Sequence, residues 1–159
     1  MPYIALAIGI VLAGLDQLFK YLIVSHFELN QTQVLIPNIL NLTYIRNEGV
    51  AFGMFSGMPW VFIALTSVML AAIIIYMFVK RPKSKFFYFT VAMIIGGGIG
   101  NLIDRIAYGY VVDYLSLSFF HPVCNFADYC ITLGVIMLAV YLLFFADKKD
   151  KKVRKHDGA

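Results

Sequence analysis

Long uncharged stretches alternate with short polar ones along this chain. Positions 59–79 and 86–103 carry no charged side chain, and positions 126–146 carry only Asp128, close to their start. Positions 2–24 are equally apolar apart from Asp16, Gln17 and Lys20. At about 1.5 Å per residue, each stretch is long enough to cross a hydrocarbon layer of about 30 Å as a helix. Four transmembrane helices are predicted, in one membrane domain spanning 1–159. The pattern changes at 25–58, which is too polar to span. There Leu40, Leu42 and Tyr44 alternate with Asn41, Thr43 and Ile45, a two-residue period that points to strand. Pro37-Asn38 and Asn47-Glu48-Gly49 supply turn chemistry around it. The expected fold is an all-α integral membrane protein whose four helices carry a small β-containing platform on the outer membrane surface.

Composition agrees. Of the 159 residues, 61% are hydrophobic and 14% charged, whereas soluble domains average about 45–50% and 25%. With 12 Gly, 5 Pro and 2 Cys, neither a collagen-like, a disordered nor a disulfide-framework chain fits. The net charge of +4 raises the question of nucleic acid. Its placement answers against that partner, because the basic residues cluster directly after apolar spans. Lys80, Arg81, Lys83 and Lys85 form one group, and Lys148, Lys149, Lys151, Lys152, Arg154 and Lys155 the other. Such flanks mark cytoplasmic segments. Loop 80–85 and tail 147–159 are therefore expected inside, segments 25–58 and 104–125 outside, and both termini in the cytoplasm. The first span has no basic start, and Asp16 and Lys20 interrupt it, so it reads as a retained helix and not a cleaved signal. Tyr3, Tyr21, Trp60, Tyr76, Phe87, Tyr88, Tyr108 and Tyr110 lie near the expected boundaries, where interfacial aromatics gather.

Ionisable groups in or beside a span are costly and mark function by default. Asp16 and Lys20 are four apart on one helical face and can pair. Asn101 lies one turn before Asp104-Arg105 at the end of the third span. Asn125 and Asp128 repeat that Asn-x-x-Asp spacing where the fourth begins, and Asn125 also suits a helix cap with Asp128 in its first turn. Asp113, between Val111-Val112 and Tyr114-Leu115, reads as mid-loop in an apolar setting, where a carboxylate needs a partner or a task. Two close carboxylates share a proton, so that one acts as base toward water while the other polarises a carbonyl. Spacing alone leaves open which two of Asp104, Asp113 and Asp128 do so.

Other chemistries are poorly supplied. Cys124 and Cys130 fit no common zinc spacing, and His26, His121 and His156 are scattered. Gly96 and Gly100 form a small-xxx-small pair that predicts close helix packing.

Five blocks then resemble a known family: Asp16-Gln17-Leu18-Phe19-Lys20, Asn47-Glu48-Gly49-Val50-Ala51-Phe52, Gly100-Asn101-Leu102-Ile103-Asp104-Arg105, Val111-Val112-Asp113-Tyr114 and Asn125-Phe126-Ala127-Asp128. In order and across most of the chain, they look like those of the lipoprotein signal peptidases (signal peptidase II). The resemblance implies a bacterial plasma-membrane aspartic endopeptidase. Such an enzyme removes the signal peptide of a prolipoprotein before a diacylglyceryl-modified cysteine. It implies Asp113 and Asp128 as the catalytic pair, and Asn47, Gly49, Asn101, Arg105 and Asn125 as substrate-binding or supporting residues. Asp16, Lys20 and Asp104 match family positions of structural character. It implies no cofactor and no metal. The expected partners are the lipid-modified precursor and membrane lipids, with the enzyme a monomer. A proton-coupled transporter would need ionisable groups in several spans, and 59–79 and 86–103 have none. A non-catalytic assembly subunit leaves Asp113 and Asp128 without a role.

Overall fold

The computed structural model describes residues 1–49 and 58–146; the end of the Asn47 block at 50–52 and the basic tail 147–159 lie outside the described residues. In chain order the elements are α1 (Pro2–His26), β1 (Thr32–Ile36), β2 (Leu40–Asn47), α2 (Pro59–Lys80), α3 (Lys85–Tyr108), β3 (Val111–Leu117), β4 (Phe120–Cys124) and α4 (Phe126–Tyr141). A wider, π-helical turn over Leu142–Ala146 continues α4. All four helices are long and apolar enough to cross a membrane, α4 through Phe145.

Helix α3 is the hub. Its most apolar stretch is 67% buried, against 28% for α1 and 11% each for α2 and α4. Lipid gives apolar helices no hydrophobic reason to associate, so close packing against small residues has to hold them. Three consecutive glycines provide it, because residues one apart point about 100° apart around a helix. A Cβ on Gly96 would lie 2.6 Å from Leu12 of α1, one on Gly97 would strike the Ala127 carbonyl of α4, and one on Gly98 would lie 2.9 Å from Leu70 of α2. Gly100, a turn beyond Gly96, again faces α1, where a Cβ would lie 2.5 Å from Asp16 Oδ2. The buried stripe of α1 runs through Ala5, Gly9, Ala13, Asp16, Lys20 and Ile23. Small residues thus bring one half of α1 onto α3, and the charged pair continues on the same face.

Three features differ from what the sequence suggests. Phe87 and Tyr88 are not interfacial. They are 3% and 5% exposed, and Phe87 packs between Tyr76 and Tyr141 at ring distances of 5.8 and 5.4 Å. Helix α3 continues past 103 to Tyr108, because its end is set by Gly109 at φ +79°, whose N–H closes onto the Arg105 carbonyl. A left-handed residue is what a glycine adopts freely there. Asp104 and Arg105 are therefore helical.

The third difference is the platform, which is built from both polar segments. Its four strands pair antiparallel in the order β1-β2-β3-β4. Asp113 lies in the middle of β3, opposite Ile45 of β2, not in a loop. Tyr44, Val112 and Tyr114 form a buried cluster with Ile23 of α1. The sheet therefore rests on the end of the bundle where α3 finishes and α4 begins.

Candidate active site

Lys20 lies at the centre of the α1 side. Its ammonium has three N–H donors, and three acceptors surround it: Asp16 Oδ2 at 2.7 Å, Asp104 Oδ2 at 2.9 Å and Asn101 Oδ1 at 3.0 Å. The remaining acceptors of the two aspartates are also used. Asp16 Oδ1 accepts from the Ala127 backbone N–H at 2.9 Å, which ties α1 to the first turn of α4. Asp104 Oδ2 accepts from the Val112 N–H at 3.0 Å, tying α3 to β3. Gln17 donates to Asp104 Oδ1 and to the Gly100 carbonyl, at 2.8 and 3.0 Å. Its place in the shell was invisible in the sequence, although it sits inside the Asp16–Lys20 block.

Asp113 and Asp128 have a different company. Asp113 Oδ1 accepts from Asn125 Nδ2 at 2.6 Å and its Oδ2 from Asn47 Nδ2 at 2.7 Å. Asp128 Oδ1 accepts from Asn101 Nδ2 at 2.8 Å and its Oδ2 from the Asn125 backbone N–H at 3.1 Å. The elements explain each placement. Asn47 pairs opposite Val111, two residues from Asp113, which makes Asn47 and Asp113 diagonal neighbours across the β2–β3 ladder. Asn125 caps α4: its side chain accepts from the Asp128 N–H at 2.8 Å while the Asp128 side chain accepts from the Asn125 N–H, a reciprocal capping box.

Every asparagine amide in this shell is oriented by what its carbonyl oxygen accepts. Asn47 Oδ1 takes the Gly49 N–H at 3.1 Å, Asn125 Oδ1 takes the Asp128 N–H, and Asn101 Oδ1 takes Lys20 Nζ and Asn125 Nδ2 at 3.1 Å. With the oxygens engaged, all three NH₂ groups face carboxylates. Gly49 acts here through its backbone alone.

Asp113 is 1% exposed. Burial first, and the negative charge of Asp128 second, push its pKa up to about 7, against the pull of the Asn47 and Asn125 hydrogen bonds. A carboxyl of this kind holds a proton near neutrality. Asp128 is less deeply buried and therefore open to a water molecule. Together they can supply an acid and a base to a carbonyl and its attacking water.

Arg105 is half-buried on the same side of α3, with its guanidinium carbon 5.1 Å from the centre of the Phe62 ring and Nη1 donating to the Asn101 carbonyl at 3.4 Å. Among the described residues it forms no ion pair with a carboxylate within 4.0 Å. Its charge nevertheless acts on Asp128 and Asp113. Asn47, Asn101, Asn125, Asp113 and Asp128 thus meet in one hydrogen-bonded group with Arg105 beside it. Asp104, one of three carboxylates left open by spacing, joins Lys20 instead. Asn101, one turn earlier on the same face of α3, meets the same ammonium through its side-chain oxygen. Tyr114 is a further shell residue, its hydroxyl accepting from the Phe126 N–H at 3.3 Å. Only its adjacence to Asp113 hinted at this. Among the described residues, no group of three or more His, Cys, Asp or Glu side chains is arranged to hold a metal ion.

The chain is similar to known proteins over most of its length. The family model described as signal peptidase (SPase) II matches residues 8–144. A lipoprotein signal peptidase of Clostridium acetobutylicum is 41% identical over 157 residues, covering 96% of this chain and 100% of the relative. One from Streptococcus agalactiae serotype V is 43% identical over 136 residues, covering 85% and 88%. A bacterial membrane enzyme solved at 2.3 Å by the in meso method superposes with a TM-score of 0.84 at 30% identity, over 91% of this chain and 90% of that one. The chain belongs to the signal peptidase II family, and it is a membrane protease that processes lipoprotein signal peptides.

Proposed function

We infer that Asp113 and Asp128 are the catalytic dyad of this protease. The observation that carries the reading is the contrast in partners: two carboxylates bridged through Asn125 and Asn101, each held by two uncharged N–H donors. Neutral donors support a carboxylate without fixing its charge, so the pair can keep one proton between them. Asp113, with its pKa raised to about 7, carries that proton. Asp128 takes a proton from water as the water oxygen attacks the scissile carbonyl carbon, and Asp113 donates its own to the carbonyl oxygen. Collapse of the tetrahedral adduct returns a proton to the leaving nitrogen and breaks the C–N bond. Arg105 and the Asn47 region orient the peptide. No metal takes part in these steps.

The substrate is a prolipoprotein whose cleavage-site cysteine already carries diacylglycerol. Loop 80–85 and tail 147–159 are cytoplasmic, as are both termini, and the sheet with segments 25–58 and 104–125 is extracytoplasmic. Basic flanks after α2 and α4 support this orientation. The whole of 1–159 is one membrane domain working as a monomer among membrane lipids. Its substrate's lipid and signal helix both reach the dyad from within the bilayer.

The test is cleavage of a purified precursor in detergent, with and without the diacylglyceryl group. The lipidated form is cut before its modified cysteine and the unlipidated form is not. Asp113→Asn and Asp128→Asn each bind the precursor and lose about 10³-fold or more in kcat, because the members of such a pair act as a unit. A chelator changes nothing. Turnover retained by either variant would remove the assignment.

A further inference from the structure

We propose that Lys20 is a positioning residue for the cleavage reaction, holding the Asn101 side-chain amide so that its NH₂ faces Asp128. This rests on Asp113 and Asp128 being the dyad. Of the three asparagines that donate to the pair, Asn47 and Asn125 are oriented by backbone N–H groups close to them in sequence, those of Gly49 and Asp128. Asn101 is different. The oxygen of its amide is held by the Lys20 ammonium at 3.0 Å and by Asn125 Nδ2 at 3.1 Å. Lys20 can only donate. An amide turned the other way would set its NH₂ against a cation and its oxygen against the Asp128 carboxylate. Both contacts would be repulsive. The charge on α1 therefore selects one of two amide orientations on α3, and that orientation delivers the 2.8 Å hydrogen bond to Asp128 Oδ1.

Asp16 and Asp104 complete the device. They occupy the other two donors of the ammonium, which leaves it a single direction in which to meet Asn101. Lys20 is 3% exposed and cannot swing to water. It contacts neither dyad carboxylate, so its hydrogen-bonded route to Asp128 runs through Asn101. Charged groups facing Asp128 from the surrounding elements are Asp113 of β3 and Arg105 of α3. Neither touches the Asn101 oxygen.

Lys20→Met alone leaves two buried carboxylates uncompensated and can fail to fold. Lys20→Met combined with Asp16→Asn keeps the cluster's net charge, one negative in both cases, and removes the ammonium's bonds to Asn101 and Asp104. Measured on the full chain in detergent with the lipidated precursor, this charge-balanced variant melts below the parent, because Asp104 loses its ammonium, and is assayed at a temperature where both are folded. Its kcat is lower by about 30-fold and KM stays within about twofold, the pattern of a misplaced catalytic shell. In an Asn101→Ala background the same two changes cost less than about threefold in kcat, since no amide remains to orient. Full kcat in the charge-balanced variant overturns the proposal, as do equal losses in both backgrounds, which would make Lys20 a purely structural residue. Turnover by Asp128→Asn would instead remove the dyad reading and is measured alongside.

Discussion

Two pairs of carboxylates occupy the same end of this bundle, joined through the Asn101 side chain, and they are held in opposite ways. Asp16 and Asp104 share one ammonium, with N–H donors from Ala127, Val112 and Gln17 filling the remaining positions. Asp113 and Asp128 receive four N–H donors and no charge-bearing one. A cation in contact favours the ionised carboxylate, because the attraction between unit charges at about 4 Å amounts to roughly 4 kcal/mol even at an effective dielectric of 20. Amides exert a weaker pull, which burial and a second carboxylate can outweigh. Asp113, at about 7, shows the outcome. In this fold the carboxylates that brace helices contact a cation, and the pair that can move a proton is held by neutral donors alone.

The strongest experiment exchanges the two pairs' fates by the same substitution. Asp113→Asn lowers kcat by about 10³-fold or more and leaves the fold standing, since an uncharged side chain suits that site. Asp104→Asn does the reverse. It weakens a buried ion pair at a cost of about 3 kcal/mol, read from denaturant unfolding in detergent. Lys20 keeps its bonds to Asp16 and Asn101, so kcat of the folded protein stays within about threefold. Equal losses of stability and rate at both positions would erase the distinction between the pairs.

How much of this could be read from sequence depended on distance along the chain. Local relations were legible: the four-residue step from Asp16 to Lys20, the Asn125–Asp128 capping box, the Gly96–Gly100 packing pair and the strand period at 40–45. Relations between distant residues were not. Nothing in the order of residues says that Lys20 reaches Asp104 and Asn101 on another helix. Hydropathy also loses its usual meaning in a bilayer, where lipid-facing and protein-facing residues are equally apolar, and this is why Phe87 and Tyr88 read as interfacial. β3 was missed because a short apolar run after a span resembles a loop re-entering the surface. Its β-branched Val111 and Val112 were the available signal. The choice of Asp113 and Asp128 over Asp104 came from family resemblance and not from spacing.

The glycines of α3 offer a gentler version of the same contrast. Gly97→Ala drives a Cβ into the Ala127 carbonyl, which is backbone and cannot turn aside. The first turn of α4 must shift, taking Asn125 and Asp128 with it. Overpacking of this kind costs about 1–3 kcal/mol, and a displaced dyad costs about tenfold or more in kcat. Gly100→Ala meets Asp16 Oδ2 of α1 instead. It strains the Lys20 cluster, and melting temperature falls by more than the rate does. Rate and stability falling in parallel for both variants would show that α3 transmits strain evenly to both carboxylate groups.

The smallest effect is a displacement along the pH axis. Asp113 must be protonated to donate to the scissile carbonyl, so activity declines as pH rises through about 7, by about tenfold per unit beyond it. Its pKa is raised above the ordinary carboxylate value of about 3.9, so its proton stabilises the fold most at low pH, and that contribution is lost as pH climbs through about 7. The groups acting on it are Asp128 from α4, which raises the value, and Lys20 from α1, which lowers it, with Asn47 and Asn125 donating to the ionised form. Removing the Asn47 donor removes one of the interactions that favour ionisation. In Asn47→Ala the pKa therefore moves further up, and the alkaline limb of kcat/KM shifts to higher pH by up to about one unit, worth about 1.4 kcal/mol. Thermal unfolding measured across the same range checks the sign independently. The parent loses stability between about pH 4 and 7 through this carboxyl, and Asp113→Asn lacks that slope. An alkaline limb that stays in place in Asn47→Ala, or moves down, would put the titration on a group other than Asp113.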